Sequence, residues 1–230
     1  MLSPLLHCMQ KRRRLYLSGQ GRMIGRTDGL PKDAAGRAES PLNIALGNIY
    51  DRKKHIMKEK LRLTVFSDSH GSVSDLRRAA ELHLHDTDYF IFLGDGYREA
   101  VALLDSCGVP YLAVPGNCDL LITPPVPEEL TADLGVARIF ICHGHRYGVK
   151  GSLEGLAAAA RARNADIALF GHTHVRCERY LPGEGDGEKP LRLFNPGSIS
   201  RPREGAPCYG RVDIIRDGDR LDVLFSHAEV

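Results

Sequence analysis

The sequence has no run of about 18 apolar residues, the length a membrane-crossing helix requires, so no span is expected. It has no Cys-x-x-Cys pair. Its six cysteines, Cys8, Cys107, Cys118, Cys142, Cys177 and Cys208, are scattered, which reads as reduced thiols in a cytoplasmic protein and not as a disulfide framework. A secretory signal is lacking too. The opening MLSPLLHCMQKRRR sets apolar residues before basic ones, the reverse of the required order, and leaves open an amphipathic, Arg-rich transit peptide. Finally, the patterned part of the chain has no basic excess. Of 31 Lys and Arg, 13 lie in residues 1–60, against 5 of the 29 Asp and Glu, so the remainder is mildly acidic and a nucleic-acid partner is not indicated.

What is present suits a soluble domain with its own core: 230 residues, 43% hydrophobic and 26% charged. Residues 1–56 show no sustained period of 2 or 3.6 and are rich in Gly, Pro and charge. They offer too little apolar surface to offset the entropy of ordering, so disorder is expected there. Met57 opens MKEKLRLTVFSDSHG, where patterning begins at once. The domain is therefore placed at 57–230, with 1–56 either a flexible tail or an extension upstream of the true start.

Within that domain one arrangement recurs: an apolar run of strand length, then a small residue and a polar group. LRLTVFS leads into Asp68 and His70, DYFIFLG into Asp95, and YLAVPG into Asn117 and Cys118. RIFICH contains His143, and DIALFG leads into His172 and His174. Near-continuous apolar runs predict strands buried on both faces. Between the early runs lie segments of helical spacing: SVSDLRRAAELHLH with Ser72 or Ser74 as N-cap, REAVALLDSC stopped by Gly108, and later the Ala-rich SLEGLAAAARARN. Alternating strands and helices predict an α/β domain whose functional groups gather beyond the carboxyl ends of parallel strands. The tail, VRCERYL, LRLFN, CYGRVDIIR and DRLDVLFSH, reads as a run of strands forming a second sheet packed on the first.

Two Asp, one Asn and four His make a donor set for borderline transition ions such as Mn, Fe, Zn, Co or Ni, and suit the oxygen-seeking Mg or Ca less. Seven side chains exceed what one ion takes but divide between two if a carboxylate bridges. Such a pair clamps a phosphoryl group and acidifies a bridging water into hydroxide.

The motifs D68-x-H70, G94-D95, G116-N117, H143-G144-H145 and G171-H172-T173-H174, in this order, resemble those of the calcineurin-like metallophosphoesterase superfamily over residues 61–227. GNCD, NPGS and SRPRE resemble the narrower YfcE-like group of small phosphodiesterases, a branch that also includes a retromer subunit using the fold as a protein-binding scaffold. The resemblance implies a four-layer αββα sandwich, two packed mixed sheets flanked by helices. It implies two divalent transition-metal ions, Mn foremost. Asp68, His70, Asp95 and His174 would hold one ion, and Asp95, Asn117, His143 and His172 the other. Asn117, Cys118 and His143 are the residues expected to bear directly on catalysis. The substrate class implied is a small phosphodiester or nucleotide-like molecule. A phosphomonoesterase, a nucleotide hydrolase and a non-catalytic scaffold are the alternatives, and a homo-oligomer is left open. Cys118 departs from the wider superfamily, where His follows the Asn and is thought to protonate the leaving group. A neutral thiol is a poor substitute, so slow turnover of poor leaving groups is expected.

The remaining histidines read as structural. His145 is expected to pack beneath the site, His83 and His85 to lie on a helix surface without partners, and His55 and His227 to play no part. Arg201 and Arg203 suit bidentate phosphate contact, with an ordinary surface role favoured. Asn195 to Ser198 are expected to close the back of the crevice, and residues 120–130, rich in Pro, to form a rigid wall that selects substrate.

Overall fold

The computed structural model describes residues 60–183, 185 and 187–230, so the expectation of disorder over residues 1–56 lies outside the described residues. Three strands, β1 (Lys60–Phe66), β2 (Tyr89–Phe92) and β3 (Tyr111–Ala113), run parallel, joined through helices α1 (Ser74–Leu82) and α2 (Tyr97–Cys107). Two long strands from the C-terminal part, β9 (Cys208–Asp217) and β10 (Arg220–Glu229), extend this sheet antiparallel, giving the order β10-β9-β1-β2-β3. The second sheet consists of β4 (Glu129–Asp133), β5 (Arg138–Cys142), β6 (Ile167–Leu169), β7 (Arg176–Leu181) and β8 (Leu191–Pro196), in the order β4-β5-β6-β8-β7. Its central strands β5, β6 and β8 are parallel, its edges antiparallel, and α3 (Glu154–Ala162) crosses from β5 to β6.

Strand alternation explains the layering, because successive side chains face opposite sides of a sheet. Leu61, Leu63 and Val65 of β1, Ile91 of β2, Ile139 and Ile141 of β5, and Ile167 and Leu169 of β6 meet in the core between the sheets. The alternate residues Phe66, Phe90 and Phe92 face outward onto Leu76, Ala80 and Leu104 of α1 and α2. On the far side Phe140, Cys142 and Ala168 take up Leu156, Ala157 and Ala160 of α3. Central strands thus bury both faces, which is why they read as unbroken apolar runs. The result is the four-layer αββα sandwich expected from the sequence. No helix among the described residues is long and apolar enough to cross a membrane. The five described cysteines are unpaired.

Three local readings are corrected. The tail strands do not form a sheet of their own. β7 and β8 join β4 to β6, whereas β9 and β10 return to β1. Strand character is local, but partner choice is decided by which core each apolar face fills. Neither Ser72 nor Ser74 caps α1, since Val73 holds the cap position without a side-chain bond. Gly108 does end α2, in the left-handed conformation that glycine adopts readily. His83 is no free surface group. Its Nδ1 lies 2.9 Å from Asp86 Oδ1, its Nε2 lies 2.9 Å from Tyr209 Oη, and Arg211 of β9 reaches the same cluster. Partners 126 residues away leave no trace in a helical pattern.

The inter-sheet core sets the stability of the domain. Ile91 is fully buried in it, whereas Leu224 on edge strand β10 is 67% exposed. Ile91→Ala should cost about 2–5 kcal/mol in urea unfolding, and Leu224→Ala less than about 0.5 kcal/mol. Equal losses would contradict the assigned layers.

Candidate metal centre

The carboxyl ends of β1, β2 and β3 in one sheet, and of β5 and β6 in the other, each release a short polar loop toward one place. Backbone bonds knit these loops together. Asp68 N–H donates to Gly94 O (2.9 Å), His70 N–H to Asp95 O (2.7 Å) and Gly171 N–H to His143 O (3.0 Å). Among the bonds that cross between the sheets are His143 Nδ1–H to Leu93 O (2.6 Å) and His172 N–H to Asp68 Oδ2 (3.1 Å).

The approach is close enough to require glycine. A Cβ on Gly116 would collide with the Asp95 carboxylate, and one on Gly171 with Ser67 Oγ. It also holds five predicted ligands in left-handed backbone, with φ of 55° at Asp68, 44° at His70, 59° at Asp95, 68° at His172 and 59° at His174. Such conformations cost roughly 1–3 kcal/mol each in non-glycine residues and persist where surroundings enforce them.

Six of the seven predicted ligands converge. His70 Nε2 is 3.1 Å from His174 Nε2 and 4.0 Å from Asp95 Oδ2. His174 Nε2 is 3.3 Å from Asp68 Oδ1. His143 Nε2 is 3.6 Å from Asp95 Oδ2, 4.0 Å from Asp68 Oδ1 and 3.2 Å from His172 Nδ1. Asp95 stands between the two groups of imidazoles. Its Oδ1 accepts from Cys118 N–H at 2.8 Å, leaving Oδ2 to face both. The seventh, Asn117, sits on the same loop as Cys118 but is exposed. Its amide nitrogen contacts Cys118 Sγ (3.4 Å), and among the described residues it makes no hydrogen bond to the cluster. The Cys118 thiol can join His70 and Asp95 around one ion position, although the sequence reading assigned it no ligand role.

These groups fit a cation. Carbonyl oxygens can only accept, so the bonds from His143 Nδ1 to Leu93 O and from His174 Nδ1 to Arg201 O (2.6 Å) place a proton on each Nδ1. In the neutral rings both Nε2 lone pairs then point into the cluster, the arrangement by which outer partners orient metal-binding imidazoles. Asp68 is fully buried, and its Oδ1 has no hydrogen-bond donor, whereas Oδ2 receives Ser67 Oγ–H (2.5 Å) and His172 N–H. A buried carboxylate oxygen facing imidazole lone pairs lacks a positive partner, and a divalent ion supplies one.

The protonation pattern agrees. Burial, then the neighbouring His143 and Lys150, pushes the His172 pKa down to about 4, and burial lowers that of His70. Both are thus neutral ligands at neutral pH. The Asp68 carboxylate, 3.3 Å from its Nε2, raises the His174 pKa. Burial alone would raise the Asp68 carboxyl, but His174, His143 and Ser67 together outweigh it and hold it below the usual range. Burial, with Asp95 and Asp119 nearby, pushes the Cys118 thiol up to about 11.

Sequence reasoning missed the group that fastens this loop. Asp119 accepts four backbone N–H groups: Asp95 (2.8 Å) and Gly116 (2.8 Å) at Oδ2, and Gly96 (2.9 Å) and Tyr97 (2.8 Å) at Oδ1. One carboxylate therefore ties the β2 tip to the β3 tip and caps the start of α2. Its signal was the last letter of GNCD. The back of the crevice is closed as expected. Ser198 Oγ–H and Ser200 Oγ–H donate to Asp68 O (2.8 and 3.0 Å), and Asn195 Nδ2–H donates to Gly171 O (2.8 Å). His227 has a part after all, since its Nε2 lies 2.8 Å from Asn195 O. His145 packs beside the cluster, its ring 5.5 Å from that of His143 and 6.1 Å from that of His172.

Residues 61–217 match the family model of the calcineurin-like phosphoesterase superfamily domain. The chain is 32% identical over 143 residues to the probable metallophosphoesterase YsnB of Bacillus subtilis, covering 62% of this chain and 78% of the relative. It is 33% identical over 178 residues to the phosphodiesterase YfcE of Escherichia coli, covering 66% and 88%. A crystal structure from Streptococcus pneumoniae, described as that of a predicted phosphoesterase, superposes with a TM-score of 0.57 at 30% identity, covering 72% of this chain and 88% of that one.

Two outcomes are expected. Mn²⁺ at a hundredfold its Kd should stabilise the chelator-treated protein by roughly 2.7 kcal/mol, a rise of about 5–10 °C in Tm. The gain should shrink as pH falls through the raised pKa of His174, because the protonated ring cannot ligate. An unchanged Tm at every pH would count against ion binding. Asp119→Ala should cost about 2–4 kcal/mol in chemical denaturation, because four donors lose a charged acceptor. A loss below about 0.5 kcal/mol would show that the carboxylate fastens nothing.

Proposed function

The chain belongs to the calcineurin-like phosphoesterase superfamily, and from that premise we propose that it hydrolyses small phosphodiesters with two divalent transition-metal ions, manganese foremost. The observation that carries the reading is the buried, donor-less Asp68 Oδ1 amid imidazoles whose Nδ1 protons are committed elsewhere. The mixed imidazole and carboxylate donors suit Mn, Ni, Co, Fe or Zn. Asp68, His70 and His174 would hold one ion, and His143 and His172 the other, with Asp95 Oδ2 shared between them. Asn117 would complete the second set with its carboxamide oxygen. Ions held in this way acidify a water and neutralise phosphoryl charge.

The chain's own residues do the rest. His143 and His174 are aimed by Leu93 O and Arg201 O and keep their lone pairs fixed. Asp119 and the glycine contacts hold the β2 and β3 tips in register, so the phosphorus is met by a rigid frame. Cys118 shares the wall of a cavity with His70, and its thiol stays neutral across the physiological range. It therefore lends little help to a strongly basic alcohol. Diesters with good leaving groups should be turned over best.

The test is a metal-by-substrate panel. With Mn²⁺ the protein should cleave bis(p-nitrophenyl) phosphate faster than p-nitrophenyl phosphate. Asp95→Asn and His172→Ala should each lower kcat/KM by more than roughly 100-fold. Faster cleavage of the monoester would make the protein a phosphomonoesterase, and full activity after exhaustive chelation would end the metal reading.

A further inference from the structure

The six converging ligands come from two sheets. Asp68, His70 and Asp95 leave the tips of β1 and β2, whereas His143, His172 and His174 leave those of β5 and β6. Their spacing around an ion depends on what holds one set of tips against the other. Besides the direct bonds between the loops, a third segment touches both sets. Residues 195–200 run from the end of β8 across the back of the crevice. At one end Asn195 Nδ2–H donates to Gly171 O (2.8 Å) and to Thr173 Oγ1 (3.1 Å), gripping the loop that carries His172 and His174. At the other end Ser198 Oγ–H and Ser200 Oγ–H donate to Asp68 O (2.8 and 3.0 Å), and Ile199 N–H donates to Ser67 O (3.0 Å).

Asn195 is the first residue of this bridge and is fully buried. Its Oδ1 accepts Gly197 N–H (2.9 Å), so the side chain cannot turn without breaking three bonds. Its carbonyl precedes Pro196, which has no N–H to continue the strand pattern. That carbonyl is held from the opposite sheet. His227, near the end of β10, places Nε2 at 2.8 Å from Asn195 O. A carbonyl can only accept, so the ring proton lies on Nε2. The ring itself is fixed on two sides. It stacks on Phe194 with centroids 4.8 Å apart, and its Nδ1 lies 3.5 Å from Glu178 Oε1 on β7. These partners, Asn195, Phe194 and Glu178, all lie outside the ligand set.

We propose that His227 is a positioning residue of the metal centre. From the first sheet it pins the Asn195 carbonyl of the second, which fixes the backbone that carries the Asn195 carboxamide. The carboxamide in turn sets the loop that bears His172 and His174. This rests on metal binding by the cluster, as read above. The chain of contacts matters because a site works only when its groups are held within about 0.5 Å of the productive geometry. Partners that orient metal ligands from outside are typically worth about 10–100-fold in affinity. His227 acts one residue further out than Asn195, so its effect belongs at the lower end of that range.

The test is calorimetric titration of the chelator-treated full chain with Mn²⁺, beside the Tm of the same metal-free protein. His227→Phe keeps a ring against Phe194 and removes the donor to Asn195 O. It should raise the Kd for Mn²⁺ about tenfold. His227→Gln, whose amide can donate to the same carbonyl, should recover most of that loss. Phe225→Leu is the control for packing. Phe225 stacks on Phe194 with centroids 4.6 Å apart and is not bonded to Asn195, so this variant should lower the metal-free Tm and leave the Kd unchanged. A Kd for His227→Phe equal to that of the unaltered chain would overturn the proposal. So would an equal weakening by Phe225→Leu, since the effect would then be one of packing. Absence of Mn²⁺ binding by the unaltered chain would instead bring down the metal reading itself.

Discussion

A carboxylate oxygen sealed from water with no donor is the constraint on which this site depends. Asp68 has no exposed surface, and only one of its oxygens is satisfied. A buried charge of this kind costs several kcal/mol unless it is paired. Close by are the Nε2 atoms of His143 and His174, which accept in their neutral forms because their Nδ1 protons are committed to carbonyls. Acceptors facing acceptors repel. A proton relieves one such contact, and the Asp68 carboxylate accordingly raises the His174 pKa. Four imidazoles and two carboxylates at these spacings ask for more positive charge than one proton brings.

The rest of the architecture keeps that arrangement from relaxing. Left alone, Asp68 and His174 would move apart and the left-handed loops would return to ordinary backbone. They are prevented by the two packed sheets, whose parallel strands end side by side, and by bonds between the loops. His143 reaches across to Leu93, His172 back to Asp68, and Ser198 and Ser200 brace the Asp68 carbonyl from behind. Asp119 is the most economical of these devices, since one side chain collects four N–H groups from two strand tips. Strain at five ligands is thus sustained by core burial elsewhere, the usual relation between a rigid scaffold and a demanding site.

The ligand positions were legible because they follow from local order. Each apolar run ends in a small residue and a polar group, and parallel strands in an α/β sheet present such ends together. His70, Asp95 and His143 could be read from that rule, and the superfamily resemblance sharpened it. What could not be read depends on distant partners. β9 and β10 look like any other strands in sequence, and only the unfilled edge of β1 draws them away from β8. His83 lies on a helical pattern, yet its role comes from Tyr209 and Arg211 on β9. Asp119 drew no reading from the sequence, because the four donors it accepts from are backbone N–H groups, which carry no side-chain signature. Asn117 was placed among the ligands by its position in the motif series, and its amide nitrogen contacts Cys118 Sγ (3.4 Å) on the same loop.

Fold alone does not decide whether such a domain catalyses or merely docks, because one sandwich serves both purposes. The decision rests on what the site costs to maintain. A docking scaffold would be more stable with an apolar side chain at position 68 and with ligand loops in unstrained backbone, since well-packed apolar groups of similar volume often match or exceed buried charges. This chain keeps the orphaned carboxylate, the left-handed ligands and the aimed imidazoles together. Each of those features lowers stability or contributes nothing to it in isolation. Together they suit the binding of divalent cations, which gives the buried carboxylate the positive partner it lacks.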